Sequence, residues 1–387
     1  TTLFAANERG LGATGIELLP VGCDIMQVRN LTQGTDIQTL RNAVERWQRE
    51  RPWKQSNLTK SFAHLRITNG AFPEDTQAAL EHYLGALTSE PPDVAHVLRF
   101  AVMCILEEIS FTRKDGQYLR WDYRSTRRQG AKPFDKGHIA SFDSAIDQKL
   151  QQITADLEPN RGLLDLFSYR QNHGTMEIIC GSCLNVLPTL SNASFDGLIT
   201  SPPYCNRYDY TRTYALELAL LGVNEDKIRA LRQAMVSCTV ENRDKTYLRS
   251  MMTPTLFQRA TAAFEGQHEL RAILDYLEWQ KTTKVINNPG IPRMVRNYFF
   301  ELALVIFEAS RILKPGAPFI MVNDNVRYGG AAIPVDLVLS DVAEQAGFAV
   351  EVIWVLPTGK GNSSQQMGAH GREEVRKCIY IWRRKAD

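Results

Sequence analysis

The segment Leu198-Ile199-Thr200-Ser201-Pro202-Pro203-Tyr204 constrains this chain most. An apolar run of strand character passes directly into two prolines, which fix φ, remove two amide donors and stop the strand. The carbonyl of Pro202 is left free and fixed in direction, with the Ser201 hydroxyl beside it. Such a pair can accept both hydrogens of an exocyclic amine and hold its nitrogen in line with an electrophile. Tyr204 can stack on the planar ring that carries the amine. The plainer reading is a rigid turn and nothing more.

The surrounding pattern gives this turn a sheet to sit on. Short apolar runs at Thr14–Leu18, Met176–Cys180, Gly197–Thr200, Pro318–Asn323, Phe348–Leu356 and Arg376–Trp382 alternate with helical stretches. That order predicts a parallel α/β sheet with an antiparallel edge. Helices are expected over Thr1–Arg9, over much of 36–165, over 223–285, at Arg296–Leu313 and at about 334–346. In α/β sheets ligands bind beyond the carboxyl ends of strands, where Ser201 falls. The literal GxGxxG at Gly10–Gly15 follows a helix and precedes a strand. It reads as a helix cap and turn, because a phosphate site needs the reverse order.

With 387 residues, 44% apolar and 23% charged, the chain is globular in composition. It lacks a run of roughly 18 apolar residues that would span a membrane, and its first residues lack the build of a signal peptide. Lys and Arg number 45 against 43 Asp and Glu, so any basic footprint must be local. The seven cysteines are scattered, which predicts reduced thiols in a cytoplasm. Cys180-Gly-Ser-Cys183 forms a CxxC, but no second ligand pair completes a metal site.

The Ser-Pro-Pro-Tyr segment resembles the catalytic motif of amino-group DNA methyltransferases. The form with Ser first is typical of members that act on cytosine N4. Other segments agree in order. Glu177–Pro188 is similar to the strand and turn before the catalytic strand, with Ser182 where the family usually has an acid. Phe195-Asp196 resembles the lead-in, and Arg311-Ile-Leu-Lys-Pro-Gly-Ala-Pro-Phe-Ile-Met-Val resembles the leader and strand of Rossmann-like methyltransferases. Thr14–Pro20 looks like the family's second strand, with Glu17 at its end.

The resemblance implies an α/β, Rossmann-like S-adenosylmethionine-dependent methyltransferase sheet with two mainly helical insertions. The expected division is a truncated start of the core over 1–29, an insertion over 30–170, core with the catalytic motif over 171–222, a second insertion over 223–290, and the rest of the core over 291–387. It implies methyl transfer to cytosine N4 in double-stranded DNA, in the cytoplasm of a prokaryotic-type cell. Ser201, Pro202, Pro203 and Tyr204 would be catalytic. Glu17, Thr1, Thr2, Ser182 and Cys183 would contact S-adenosylmethionine, with Glu17 taking the ribose hydroxyls. Thr1-Thr2-Leu3 resembles the residues just after the family's glycine loop. An upstream segment or a second polypeptide is therefore expected to supply that strand and loop. Adenine-N6 transfer, an RNA amino-methyltransferase, and an inactive fragment or DNA-binding subunit remain the alternatives.

DNA contact has two candidate regions. Residues 113–136 hold eight basic residues against three acidic, interleaved with Tyr118, Trp121 and Tyr123. Arg124, Arg127 and Arg128 are the candidates there, for backbone contact and stacking. The segment Thr358–Arg372 offers Asn362, Gln365 and Gln366 to base edges, and Lys360 and Arg372 to phosphates. Asn323-Asp324-Asn325 ends a strand at the ligand edge and either lines the site or caps the next turn. Trp47 and Trp53 are expected to pack a helical core.

Overall fold

The computed structural model describes residues 2–34, 36–116, 118–127, 132–158, 174–357 and 375–386. They divide into two compact units. One comprises Leu3–Cys180 with Tyr210–Ala230, the other Gly181–Asp209 with Leu231–Asp387.

In the first unit a short helix, Thr2–Asn7, ends where Gly10 adopts φ +75°, and strand β1, Ala13–Glu17, follows. The GxGxxG segment thus joins a helix to a strand, in the order unsuited to a phosphate. Helices Pro20–Gly34, Ile37–Glu50, Glu74–Ala86, Pro92–Ile105 and Phe142–Asp156 make up most of this unit. Ile37–Glu50 shows why they form. Asp36 caps its first turn, and Leu40, Val44 and Trp47 recur at helical spacing on the buried side. Trp47 is fully buried, stacks on Trp53 at 5.9 Å, meets the edge of Tyr83 at 4.9 Å, and donates its indole N–H to Glu90 at 2.8 Å.

The stretch 36–165 is not helical throughout. Strands β2, Thr112–Asp115, and β3, Tyr118–Trp121, form an antiparallel hairpin there. Asp115-Gly116 begins its turn, with Gly116 at φ +58°, the left-handed conformation such turns require. Strand β4, Met176–Cys180, pairs in parallel with β1, from Ala13 opposite Met176 to Glu17 opposite Cys180.

The second unit holds the larger sheet. Strand β5, Leu198–Thr200, runs parallel to β6, Pro318–Asp324, with Thr200 opposite Met321. A small hairpin follows β6, made of β7, Val326–Tyr328, and β8, Ala331–Ile333. Strands β9, Phe348–Val355, and β10, Lys377–Arg384, complete the order β5-β6-β10-β9. The antiparallel strand is β10. It lies inside the sheet rather than at the edge that the pattern predicts.

The helix Ile291–Ile312 starts five residues before the expected boundary at Arg296. Pro292, which reads as a breaker, sits in its first turn, where its missing N–H costs nothing. Phe319, Phe348 and Trp382 pack edge to face beneath the sheet, with Phe319 and Trp382 centroids 5.1 Å apart. No helix among the described residues is long and apolar enough to cross a membrane.

Trp382 has no exposed surface, and its indole N–H meets Ser340 at 3.1 Å. Trp382→Ala should cost about 3–5 kcal/mol of stability, as for other buried tryptophans. Urea unfolding of the two proteins checks this.

Candidate active site

The Lys314-Pro-Gly316 turn positions the start of β5. Phe195 bridges Leu313, the Lys314 amide donates to the Phe195 carbonyl at 3.0 Å, and the Lys314 ammonium meets Asp196 at 2.7 Å. Gly316 takes φ +79° to make the bend. Arg311 ties the preceding helix to the same region through the carbonyls of Leu187 and Leu190.

Ser201 leaves the end of β5 exposed, and its hydroxyl lies 3.1 Å from the Tyr204 hydroxyl. The Lys377 ammonium, at the start of β10, stands 5.7 Å from the centre of the Tyr204 ring. Beyond the turn, the Cys205 carbonyl accepts a hydrogen bond from the buried Tyr328 hydroxyl at 2.8 Å. The β7–β8 hairpin therefore holds the motif from below. Asp209 is buried and pairs with Arg232 at 2.9 Å.

The three residues that end β6 have separate roles. Asn323 is buried and donates to the Tyr298 hydroxyl at 2.8 Å. Asn325 accepts from the Asp336 amide at 3.0 Å, at the start of the next helix. Both are structural. Asp324 is half-buried, faces Lys377 across the sheet register, and keeps one carboxyl oxygen buried without a hydrogen-bond partner. Burial raises its carboxyl above the ordinary value of 3.8, with Lys377 acting in the opposite direction.

The sulfur groups near the motif are poor nucleophiles. Cys205 is fully buried, and burial pushes its thiol well above the ordinary range. Burial pushes Cys238 up to about 12 and Cys183 up to about 11. All three hold their protons at neutral pH, so none offers a thiolate.

The expected cofactor residues belong to different units. Glu17 ends β1 in the first, and one of its carboxyl oxygens accepts the Leu19 amide at 2.8 Å. Gly22 lies against the same side chain, where a Cβ would come within 2.7 Å of the carboxyl carbon. Thr2 opens the first helix, and Thr1 lies outside the described residues. In the second unit the buried Ser182 hydroxyl donates to the Ala234 carbonyl at 2.6 Å, just before Cys183 begins a short helix. A buried ion pair, Lys245 with Glu301 at 2.6 Å, lies in this unit too, and Ser237 donates both its amide and its hydroxyl to the same carboxylate. Breaking one partner of such a pair costs about 3–5 kcal/mol.

The cysteine pairing differs from the expected reduced state. Cys23 and Cys180 form a disulfide that joins the helix after β1 to the end of β4. Cys183 takes no part, so the CxxC is not a redox pair. Among the described residues no cluster of His, Cys, Asp and Glu could hold a metal.

Of the basic residues over 113–136, several are already engaged. Arg124 bonds Asp122 through two nitrogens, at 2.6 and 2.9 Å, and holds that carboxyl far below its ordinary range. Arg127 lies 3.9 Å over the Trp121 ring and donates to the carbonyls of Arg66 and Asn69. Lys114 pairs with Glu217, and burial lowers Lys136 to about 8. Arg113 and Arg120 stand opposite each other on β2 and β3 and are exposed, and Arg120 pairs with Asp115 at 3.4 Å and lies 4.2 Å over the Phe134 ring. Arg128, Lys360, Asn362, Gln365, Gln366 and Arg372 lie outside the described residues.

No protein-family model matches the chain. Whole-chain relatives do. The type II methyltransferase M.AvaI of Nostoc sp. (strain PCC 7120 / SAG 25.82 / UTEX 2576) is 50% identical over 387 residues, covering 99% of this chain and 78% of that protein. M.AvaI of Anabaena variabilis gives the same figures. M.BsoBI of Geobacillus stearothermophilus, also a type II methyltransferase, is 39% identical over 402 residues, covering 99% of this chain and 77% of that protein. A solved structure described as a candidate DNA modification methylase of Thermus thermophilus aligns at 15% identity over 54% of this chain and 52% of that one. Its TM-score is 0.24, too low to carry an argument. The chain belongs to the type II DNA methyltransferases.

The environment of Asp324 has a measurable consequence. Between pH 3.8 and its raised native value, the folded chain holds a proton that the unfolded chain has lost, so stability falls as pH rises through that window. Asp324→Asn removes this dependence. The variant should melt above the parent at pH 7, with the gap closing toward pH 3. A gap independent of pH would contradict the assignment.

Proposed function

We propose that this enzyme transfers the methyl group of S-adenosylmethionine to the exocyclic N4 amine of cytosine in double-stranded DNA, in the cytoplasm of a prokaryotic-type cell. The observation that carries the reading is Ser201, whose hydroxyl stands just past the end of β5, 3.1 Å from the Tyr204 hydroxyl. A hydroxyl and a carbonyl together accept both hydrogens of an amine, which turns its lone pair toward an electrophile. Tyr204 stacks on a cytosine taken out of the duplex. Lys377 keeps that ring in place from the other side of the turn.

When bound, S-adenosylmethionine supplies an electrophilic methyl carbon on a sulfonium. Glu17 fits its ribose, since one carboxyl oxygen is bound to the Leu19 amide and the other has no such partner among the described residues. Ser182, Cys183, Thr1 and Thr2 are assigned to further contacts with the same cofactor. The protonated state of Cys205 supports direct transfer without a covalent base adduct.

We assign the phosphate backbone to the β2–β3 hairpin. Arg120 there pairs with Asp115 at 3.4 Å and lies over the Phe134 ring, so the exposed Arg113 opposite it is the cation assigned to a phosphate. Arg124, Arg127 and Arg128 are assigned to the same role from their place in the sequence. Lys360, Asn362, Gln365, Gln366 and Arg372 are assigned to base and phosphate contacts at the target.

Incubation with S-adenosylmethionine and mixed-sequence duplex, followed by nucleoside mass spectrometry, tests the reading. N4-methylcytosine is the expected product, and N6-methyladenine would overturn the choice of base. Ser201→Ala should lower kcat roughly 100-fold by removing one positioned hydrogen-bonding group. Tyr204→Ala should weaken the reaction by about 1–3 kcal/mol of lost stacking. Unchanged turnover in both variants would refute the site.

A further inference from the structure

The helix His268–Thr282 carries two aromatic side chains that the catalytic reading does not use. Tyr276 and Trp279 stack with ring centres 5.9 Å apart and planes 24° apart, and Trp279 is 55% exposed. Large exposed aromatics scattered singly are ordinary. This pair is not, because it is held rigidly. The Tyr276 hydroxyl donates to the Gly329 carbonyl at 3.1 Å, and the Gln280 amide donates to the same carbonyl at 2.7 Å and to the Tyr276 hydroxyl at 2.8 Å. Gly329 itself takes φ +55°, and a Cβ there would fall 1.8 Å from the Gln280 carbonyl oxygen, so the turn and the helix interlock.

Gly329 lies in the β7–β8 turn next to Tyr328, whose hydroxyl holds the Cys205 carbonyl directly after Ser-Pro-Pro-Tyr. A short chain of hydrogen bonds thus connects the aromatic pair to the catalytic turn within one compact unit. One turn beyond Trp279, Lys284 is exposed, with no ion-pair partner among the described residues. A flat aromatic face on a helix that is followed by an exposed lysine matches a nucleobase and its phosphate better than an apolar protein surface.

We propose that Tyr276 and Trp279 form a base-stacking contact to duplex DNA, with Lys284 on the adjacent phosphate. The rigid pair would support a base step next to the nucleotide taken out of the stack, where unpaired stacking surface must be replaced. This inference rests on DNA as the substrate and is independent of which base accepts the methyl group.

The test compares Trp279→Ala, Trp279→Phe and Lys284→Ala with the parent, using a fluorescent mixed-sequence duplex and anisotropy. Trp279→Ala should weaken DNA binding at least about fivefold, as expected for the loss of one base–aromatic stack. Trp279→Phe should recover most of the affinity. Lys284→Ala should weaken binding and flatten its dependence on salt. S-adenosylmethionine binding and the melting temperature should be unchanged in all three. Parent-like DNA affinity in Trp279→Ala would overturn the proposal. So would equal losses in the Ala and Phe variants, or a changed oligomeric state with DNA binding intact. Failure of the cytosine-N4 reading would show instead in the methylated nucleoside made by the parent.

Discussion

The ribbon that runs from β5 through Ser-Pro-Pro-Tyr has few backbone bonds with which to hold its direction. β5 is three residues long and pairs only with β6 among the described residues, and Ile199 in its middle is 57% exposed. The next two positions after Ser201 are prolines, which donate nothing. The direction of the turn is therefore set from outside, by the Lys314–Phe195 bonds before it and by the Tyr328–Cys205 bond after it. On the proposed reading, a substrate amine is oriented only as well as the Pro202 carbonyl and Ser201 hydroxyl are, so these flanking bonds would bear on catalysis. An apolar edge of this kind also invites a further strand.

The elements that could be read from sequence are those with strong local signals. The apolar runs of β1, β4, β5, β6, β9 and β10 were legible because β-branched and aromatic residues end abruptly at Pro, Gly or charged residues. The β2–β3 hairpin was hidden by its charge. Thr-Arg-Lys-Asp reads as a polar helix face, although Asp115-Gly116 carried the turn signal. The early start of the helix at Ile291 was hidden by Pro292, which breaks helices everywhere except in their first turn. The Cys23–Cys180 bond joins residues 157 apart in sequence and follows from the parallel pairing of β1 and β4, which local patterns do not encode.

The Ser-Pro-Pro-Tyr turn stands out in the sequence for the same reason as the strands, since its signal is contiguous. What supports it was not. Lys377 meets Tyr204 from a strand far along the chain, and Tyr328 reaches Cys205 from a hairpin of two three-residue strands. The Asn323-Asp324-Asn325 run left two roles open, and the structure divides them. The outer asparagines hold the fold, and the aspartate keeps an unpartnered oxygen. The basic stretch 113–136 shows how structure qualifies a charge count. Charge counted along a sequence overstates charge offered to a ligand, because Asp122, Glu217 and buried carbonyls already take up Arg124, Lys114 and Lys136.

Burial decides between chemistries at this site. A cysteine directly after an aromatic catalytic motif invites comparison with enzymes that attack a base through sulfur. That route needs a thiolate that is exposed and stabilised by nearby positive charge. Cys205 is sealed under the turn, its carbonyl serves the Tyr328 hydroxyl, and desolvation keeps its proton on. The group that can reach a substrate is instead the Ser201 hydroxyl, exposed at the end of β5 and in contact with the Tyr204 hydroxyl. A hydroxyl of ordinary acidity does not attack a base, but it accepts a hydrogen bond well. An amine held by it and by a neighbouring carbonyl already has its own lone pair free to react. The division of labour between a buried thiol and an exposed hydroxyl thus favours orientation of a nucleophilic substrate over a nucleophilic side chain.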